Sequence, residues 1–168
     1  MLRAFCLLIV ALWPSLAVAQ WMASSSDNPF DKTAQHFAFT AFDAAVFGIS
    51  CRSEKQDPLL IFVLPETGAT RPMADQLSAA WPKLAIIVDD DDAVEFDAAV
   101  DVVEMFGATR FRVKALDLGA IDTARAIAAA KRRVAVAARI AGQTLYPTTF
   151  GIAGSGREIR GVLAKCGF

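Results

Sequence analysis

The sequence predicts a single α+β domain, mostly antiparallel β-sheet, with two short helices, the last one C-terminal and disulfide-tethered. Three observations predict it. Runs of alternating apolar and polar residues recur along most of the chain, and strict alternation marks half-buried strands. Two stretches, near 122–131 and 156–166, carry helical periodicity and end signals. Two cysteines, Cys51 and Cys166, remain once an export signal is set aside.

Residues 1–19 read as that signal and 20–168 as the single domain. Arg3 is the only charge before Asp27. The apolar run Leu7–Trp13 is too short to span a bilayer, which needs about twenty residues. Pro14 and Ser15 break it, and Ala17-Val18-Ala19 has the small-x-small pattern of a cleavage site. Cleavage is expected between Ala19 and Gln20, giving a periplasmic or secreted protein, and Cys6 leaves with the signal. No later stretch reaches membrane-spanning length without charges or breakers, so no transmembrane segment is expected in the mature chain.

The mature chain alternates at once. Trp21 opens it, and Ser24–Pro29 is turn-rich and expected to be exposed. In the run that follows, Phe37, Phe39 and Ala41 face one way and Ala38, Thr40 and Phe42 the other. Ala45, Phe47, Ile49 and Cys51 share one face of a second strand. After a polar connector, Leu59–Leu64 is apolar on both faces, as a central strand would be. The pattern of strand, short loop and strand suggests antiparallel pairing.

Between Pro65 and Pro82 a short helix around Ala74–Trp81 is a candidate. Leu84–Val88 and Val94–Phe96 flank four aspartates, Asp89 to Asp92, as the arms of a hairpin. Arg110-Phe111-Arg112-Val113-Lys114 reads as a half-exposed strand. Asp122 is positioned to cap a helix running to about Lys131, with Lys131, Arg132 and Arg133 at its negative end. Val134–Ile140 and Tyr146–Ile152 are strands joined around Gly142. Ser155 and Glu158 have capping-box spacing. Ile159, Val162, Leu163 and Cys166 then fall on one helix face, and Gly167 is suited to end it.

About 150 mature residues fit one domain, and 55% of the chain is hydrophobic. Without Arg3 the 17 basic residues fall by one against 18 acidic, a formal charge of −2. That balance argues against nucleic acid or an anionic membrane as the main partner. Twelve Phe against one Tyr and one His favour a packed scaffold over an aromatic binding surface.

An oxidising compartment and one cysteine pair point to a structural disulfide between Cys51 and Cys166. A metal site, a redox pair and two buried thiols are the alternatives. There is no Cys-x-x-Cys, and His36 is remote in sequence. The four aspartates invite a calcium reading, because hard cations take clustered carboxylates. Counted from Asp89, however, the fifth, sixth and twelfth EF-hand positions are Ala93, Val94 and Val100. A solvated hairpin tip is the simpler reading of Asp89, Asp90, Asp91 and Asp92. Leu64–Gly68 spells a sortase signal, but a hundred residues of domain follow it. Gly154-Ser155-Gly156 lacks the glycine spacing of a nucleophile elbow or a phosphate loop. His36 has no evident nucleophile beside it. Catalysis and a cofactor are therefore not expected.

From Trp21 to Phe168 the order of features resembles a family of small periplasmic proteins associated with type VI secretion. The resemblance is carried by Trp21, Pro29-Phe30-Asp31, Gly48-Ile49-Ser50-Cys51-Arg52, Val88-Asp89-Asp90, Phe150-Gly151-Ile152-Ala153-Gly154 and Cys166-Gly167-Phe168. The sequence departs from the family around Pro65–Ala80, where strands usually continue. An invasion-associated exported protein of comparable size is the second resemblance, with a cysteine layout that fits less well. The first implies a disulfide-linked, non-catalytic α+β domain. Such a protein would be an exported accessory or interaction protein, its partner in the envelope or a secretion system. The alternative is a small periplasmic hydrolase or calcium-dependent binder using the acidic turn.

Overall fold

Alternation sets the course of most of the backbone, because a chain whose side chains are apolar every second residue buries them best as strands in a sheet. The computed structural model describes residues 20–28, 33–53, 58–115 and 119–168; the expected signal at 1–19 and Pro29-Phe30-Asp31 lie outside them. Strands β1 (Met22–Asn28), β2 (Thr33–Phe42), β3 (Ala45–Arg52) and β4 (Leu59–Val63) precede helix α1 (Arg71–Ala79). Strands β5 (Lys83–Val88), β6 (Val94–Met105) and β7 (Ala108–Ala115) precede α2 (Ala120–Ala129). Strands β8 (Arg133–Ile140) and β9 (Gln143–Gly151) lead to α3 (Ser155–Lys165).

All these strands form one nine-stranded sheet in the order β1-β2-β3-β4-β7-β6-β5-β8-β9. Every neighbouring pair is antiparallel. Strand β6 is the pivot. Its first residues, Val94–Asp97, pair with β5, and Ala98–Met105 pair with β7. Helix α1 lies against the strand beyond that changeover. There the Ser78 hydroxyl donates to the Val100 carbonyl at 2.9 Å and accepts the Val100 N–H at 3.0 Å. One side chain thus satisfies backbone groups that a neighbouring strand would otherwise take.

The two ends of the sheet meet. Gln20 bridges Ala153 in parallel, and Trp21 donates its backbone N–H to the Ala153 carbonyl at 2.9 Å. Inside the curved sheet Trp21, Phe47, Phe62 and Phe150 form a chain of ring contacts, with centroids 5.9–6.3 Å apart. Such contacts add to burial when rings meet edge to face or tilted. Ile127 of α2 and Ile159, Val162 and Leu163 of α3 complete the same core. The helices pack closely where Gly156 faces α2, since a Cβ there would lie 2.8 Å from the Ala128 carbonyl oxygen. A disulfide joins Cys51 of β3 to Cys166, just past α3, with Cα atoms 6.1 Å apart. Beyond it Gly167, at φ +83°, closes the helix. The Phe168 N–H reaches the Leu163 carbonyl at 3.0 Å and the Gly167 N–H the Ala164 carbonyl at 3.2 Å, a Schellman motif.

Mostly antiparallel α+β architecture is thus present, with four differences from expectation. Three helices are described, not two; α1 starts with a proline in its first turn, a position that suits the ring. The residue capping α2 is Gly119, and Asp122 lies within the first turn, paired with Arg125. Lys131, Arg132 and Arg133 fall beyond that helix. Ser155 is the first residue of α3 rather than its cap; Gly154, at φ +84°, holds the cap position. No capping box forms, and Glu158 turns to Arg157 instead. Finally, the serine-rich stretch is strand β1, because β2 offers it a ladder from Met22↔Phe39 to Asn28↔Thr33.

Candidate functional site

Each strand of the β1-to-β6 part of the sheet has two faces, and only one packs on the aromatic core. The other is read off the register. One row runs Phe39–Gly48–Ile61–Lys114–Ala99, and the next runs Ala41–Val46–Val63–Arg112–Asp101. The first row passes from apolar residues on β2, β3 and β4 to Lys114 on β7, and the second to Arg112 on β7 and Asp101 on β6.

The apolar side of these rows is hollow. A groove of about 350 Å³ opens there, lined by Phe37, Phe39, Val46, Ile61 and Val63 and overhung by Val103, Met105 and Phe106 of the β6–β7 hairpin. Ser24 and Arg112 are the polar side chains of its lining. Phe106, at the hairpin turn, is 71% exposed. Gly48 lies on the floor. A Cβ there would stand 2.7 Å from the Ala38 carbonyl oxygen and 2.9 Å from the Phe39 Cβ, so only glycine admits the Phe39 side chain across the strand.

The charged side is a ladder of cations on β7: Arg110, Arg112 and Lys114, at every second position. Arg112 grips Asp101 with two bonds, Nε to Oδ1 at 2.8 Å and Nη2 to Oδ2 at 2.6 Å. The Lys114 Nζ lies 2.8 Å from the same Oδ2. Burial pushes the Asp101 carboxyl up, and the hydrogen bonds from Arg112 and Lys114 outweigh it, holding the carboxyl below its ordinary value. The hydrogen bond to Asp101 raises Arg112 in turn. Arg110 is 6% exposed and donates through Nη1 to the Pro65 carbonyl, while its buried Nε has no partner among the described residues. Arg112 and Lys114 thus share one carboxylate, and Arg110 is spent on a backbone carbonyl.

The aspartate run meets the backbone that follows α2. The Asp89 carboxylate accepts the backbone N–H groups of Lys131, Arg132 and Arg133 at 2.9, 2.7 and 3.1 Å. Those bonds, the one from Lys131 foremost, hold the Asp89 carboxyl below its ordinary value against the opposing effect of burial. Asp90 pairs with Arg132 and with Arg133. Asp91 and Asp92 are exposed. The acidic turn and the basic stretch after α2 are therefore one electrostatic clasp. Among the described residues no three His, Cys, Asp or Glu come close enough to hold a metal ion.

His36 is buried, and its Nδ1 lies 2.8 Å from the Ser25 hydroxyl. Sequence reading missed this pair because it depends on β1 being a strand, with Ser25 directly opposite His36. Ser25 also lies 3.4 Å from the Lys165 ammonium. Among the described residues no carboxylate touches the imidazole, the place of the orienting third member in a nucleophilic triad. Leu64–Gly68, the sortase-like stretch, is tied into the sheet by the Leu64 and Gly68 N–H groups on the carbonyls of Phe111 and Thr109.

No protein-family model, no curated protein and no solved structure matches this chain. The residues that carry the sequence resemblance and can be placed hold the fold together: Trp21 at the closure, Cys51 and Cys166 in the disulfide, Asp89 in the clasp, Phe150 in the core. Of the groove lining only Gly48 and Ile49 fall within those motifs.

Proposed function

We propose that this chain is an exported binding domain, a periplasmic or secreted accessory protein without chemistry of its own that serves the envelope or a secretion machine. The groove on the face away from the aromatic core is its working surface. The observation that carries this reading is the groove itself. Apolar side chains line a half-open hollow beside a charged ladder, the usual make-up of a recognition site. A signal-like leader, the single disulfide and the family resemblance support the exported setting.

The test expresses the full chain, leader included, in a bacterial host with a photoreactive residue at Val103 or, as control, at Arg125 on the exposed side of α2. A mature N-terminus at Gln20 in the periplasmic fraction and adducts confined to the Val103 protein are expected. Retention of Met1 in the cytoplasm would overturn the export reading. Equal adducts at both positions, or none at either, would overturn the assignment of the groove.

A further inference from the structure

The groove has one property that narrows what it takes: its hollow is wholly apolar along β2, β3 and β4 and ends at Arg112, which shares Asp101 with the neighbouring Lys114. We propose that it holds the alkyl chain of a single-chain carboxylate, a free fatty acid, with the carboxylate received by Lys114 and Arg112. This rests on the groove being the working surface and names its ligand.

Size points to one chain. A hollow of 350 Å³ lies at the low end of small-molecule sites, roughly 300–1,000 Å³. A methylene is close in size to a water molecule, whose share of the liquid is about 30 Å³, so the space suits roughly ten to twelve of them. A helix about 10 Å across that rises 5.4 Å per turn displaces roughly 400 Å³ per turn, so less than one turn would fit. Both chains of a diacyl lipid would also overfill it.

Charge points to an anion. Arg112 and Lys114 face a single carboxylate, Asp101, so the pair of cations exceeds it by one charge. Lys114 uses one of its three N–H donors on Asp101 and is about 29% exposed. A carboxylate at the end of the row Phe39–Gly48–Ile61–Lys114 would meet that free valence while its chain lay over Ile61 and Gly48. A neutral alcohol would bring the same chain but no charge, and a cationic amphiphile would be repelled.

The experiment titrates the mature, disulfide-intact protein with dodecanoate, dodecanol and dodecyltrimethylammonium, followed by calorimetry, and repeats it with Lys114→Met and Val103→Glu. One dodecanoate per chain is expected, bound at least about tenfold more tightly than the alcohol, the scale of a charge-assisted hydrogen bond. Lys114→Met should erase that preference, and Val103→Glu, on the half-exposed overhang, should abolish binding with the circular dichroism spectrum unchanged. Equal affinity for acid and alcohol, or binding indifferent to Val103→Glu, overturns the inference. Should no amphiphile bind while a protein is crosslinked at Val103, the inference fails and the reading of the groove stands. Should neither occur, both fail.

Discussion

The indole N–H of Trp21 donates to the carbonyl oxygen of Gly151 at 3.0 Å, spanning 130 positions of chain. With the Trp21 N–H on Ala153 it joins the first strand to the last, and the ring itself is 1% exposed against Phe47. Two substitutions separate ring from donor. Trp21→Phe keeps most of the apolar area and leaves the Gly151 carbonyl short of a partner, a loss of about 1–3 kcal/mol. Trp21→Ala also empties the core and should cost about 3–5 kcal/mol. Urea unfolding of both variants checks this; a Trp21→Phe midpoint equal to that of the unsubstituted protein would mean that the hydrogen bond contributes nothing.

The disulfide spans 115 residues, and closing so long a loop in the unfolded chain is worth roughly 4–5 kcal/mol before any native strain. Its structural effect is local. Helix α3 rests on the core through Ile159, Val162 and Leu163, and Cys166 fixes its far end to β3. Cys51→Ser or Cys166→Ser should therefore cost about 2–5 kcal/mol. Amide exchange should rise across 155–168 well before it rises in the partners of β3. Thiol labelling of the denatured, unreduced mature chain should find no free thiol; two per chain would remove the bond altogether.

Asp89 and Asp101 tie stability to pH on the acid side. Both carboxyls are held below their ordinary value in the folded state, Asp89 chiefly by the Lys131 N–H, Asp101 by Arg112 and Lys114 against its burial. A depressed folded value gives stability that is complete above the unfolded value, near pH 4, and that is lost as pH falls through the folded one. Melting temperature should thus be flat with respect to these groups from neutral pH to about pH 5 and fall below about pH 4. Asp89→Asn should lower it at neutral pH and make the acid decline shallower. Parallel curves for the two proteins would show that the clasp is not responsible.

How far the sequence reveals this fold depends on the reach of each signal. The alternation in Ala45–Cys51, the helix stripe of Ile159, Val162 and Leu163, and the glycine stop at Gly167 are local, and all three describe the structure correctly. Strand β1 was hidden because Ser24, Ser25 and Ser26 favour turns by themselves, and only the ladder offered by β2 overrides that preference. The changeover within β6 is equally non-local. Its twelve residues read as one short arm because Val94–Asp97 and Ala98–Met105 answer to different neighbours.

The groove leaves a trace in the run that reads as a central strand. Leu59–Leu64 is apolar on both faces, which fits a strand buried on both sides. Strand β4 is central, between β3 and β7, with Leu60 and Phe62 in the core. Leu59 and Ile61, on its other face, remain partly exposed. Doubled hydrophobicity therefore marked a core on one side and an open apolar surface on the other. Periodicity alone gives no means of telling these apart.

Gly48 joins the groove to the stability of the sheet. It is buried, it sits opposite Phe39 on one side and Ile61 on the other, and its φ lies outside the left-handed region. Glycine is needed for space, not for backbone freedom. A methyl group would approach the Ala38 carbonyl oxygen to 2.7 Å and the Phe39 Cβ to 2.9 Å, and both obstacles are rigid, so β2 and β3 must separate. Gly48→Ala should cost about 1–3 kcal/mol, the range for overpacking, and should displace Phe39 from the lining. Gly68→Ala is the control. That glycine meets no atom within 4 Å but holds φ +82°, so its cost comes from backbone strain alone and leaves the groove intact. Chemical denaturation gives the stabilities, and dodecanoate titration gives the state of the groove. Gly48→Ala should lose both stability and ligand and Gly68→Ala only stability; full dodecanoate affinity in Gly48→Ala would separate Phe39 from the site.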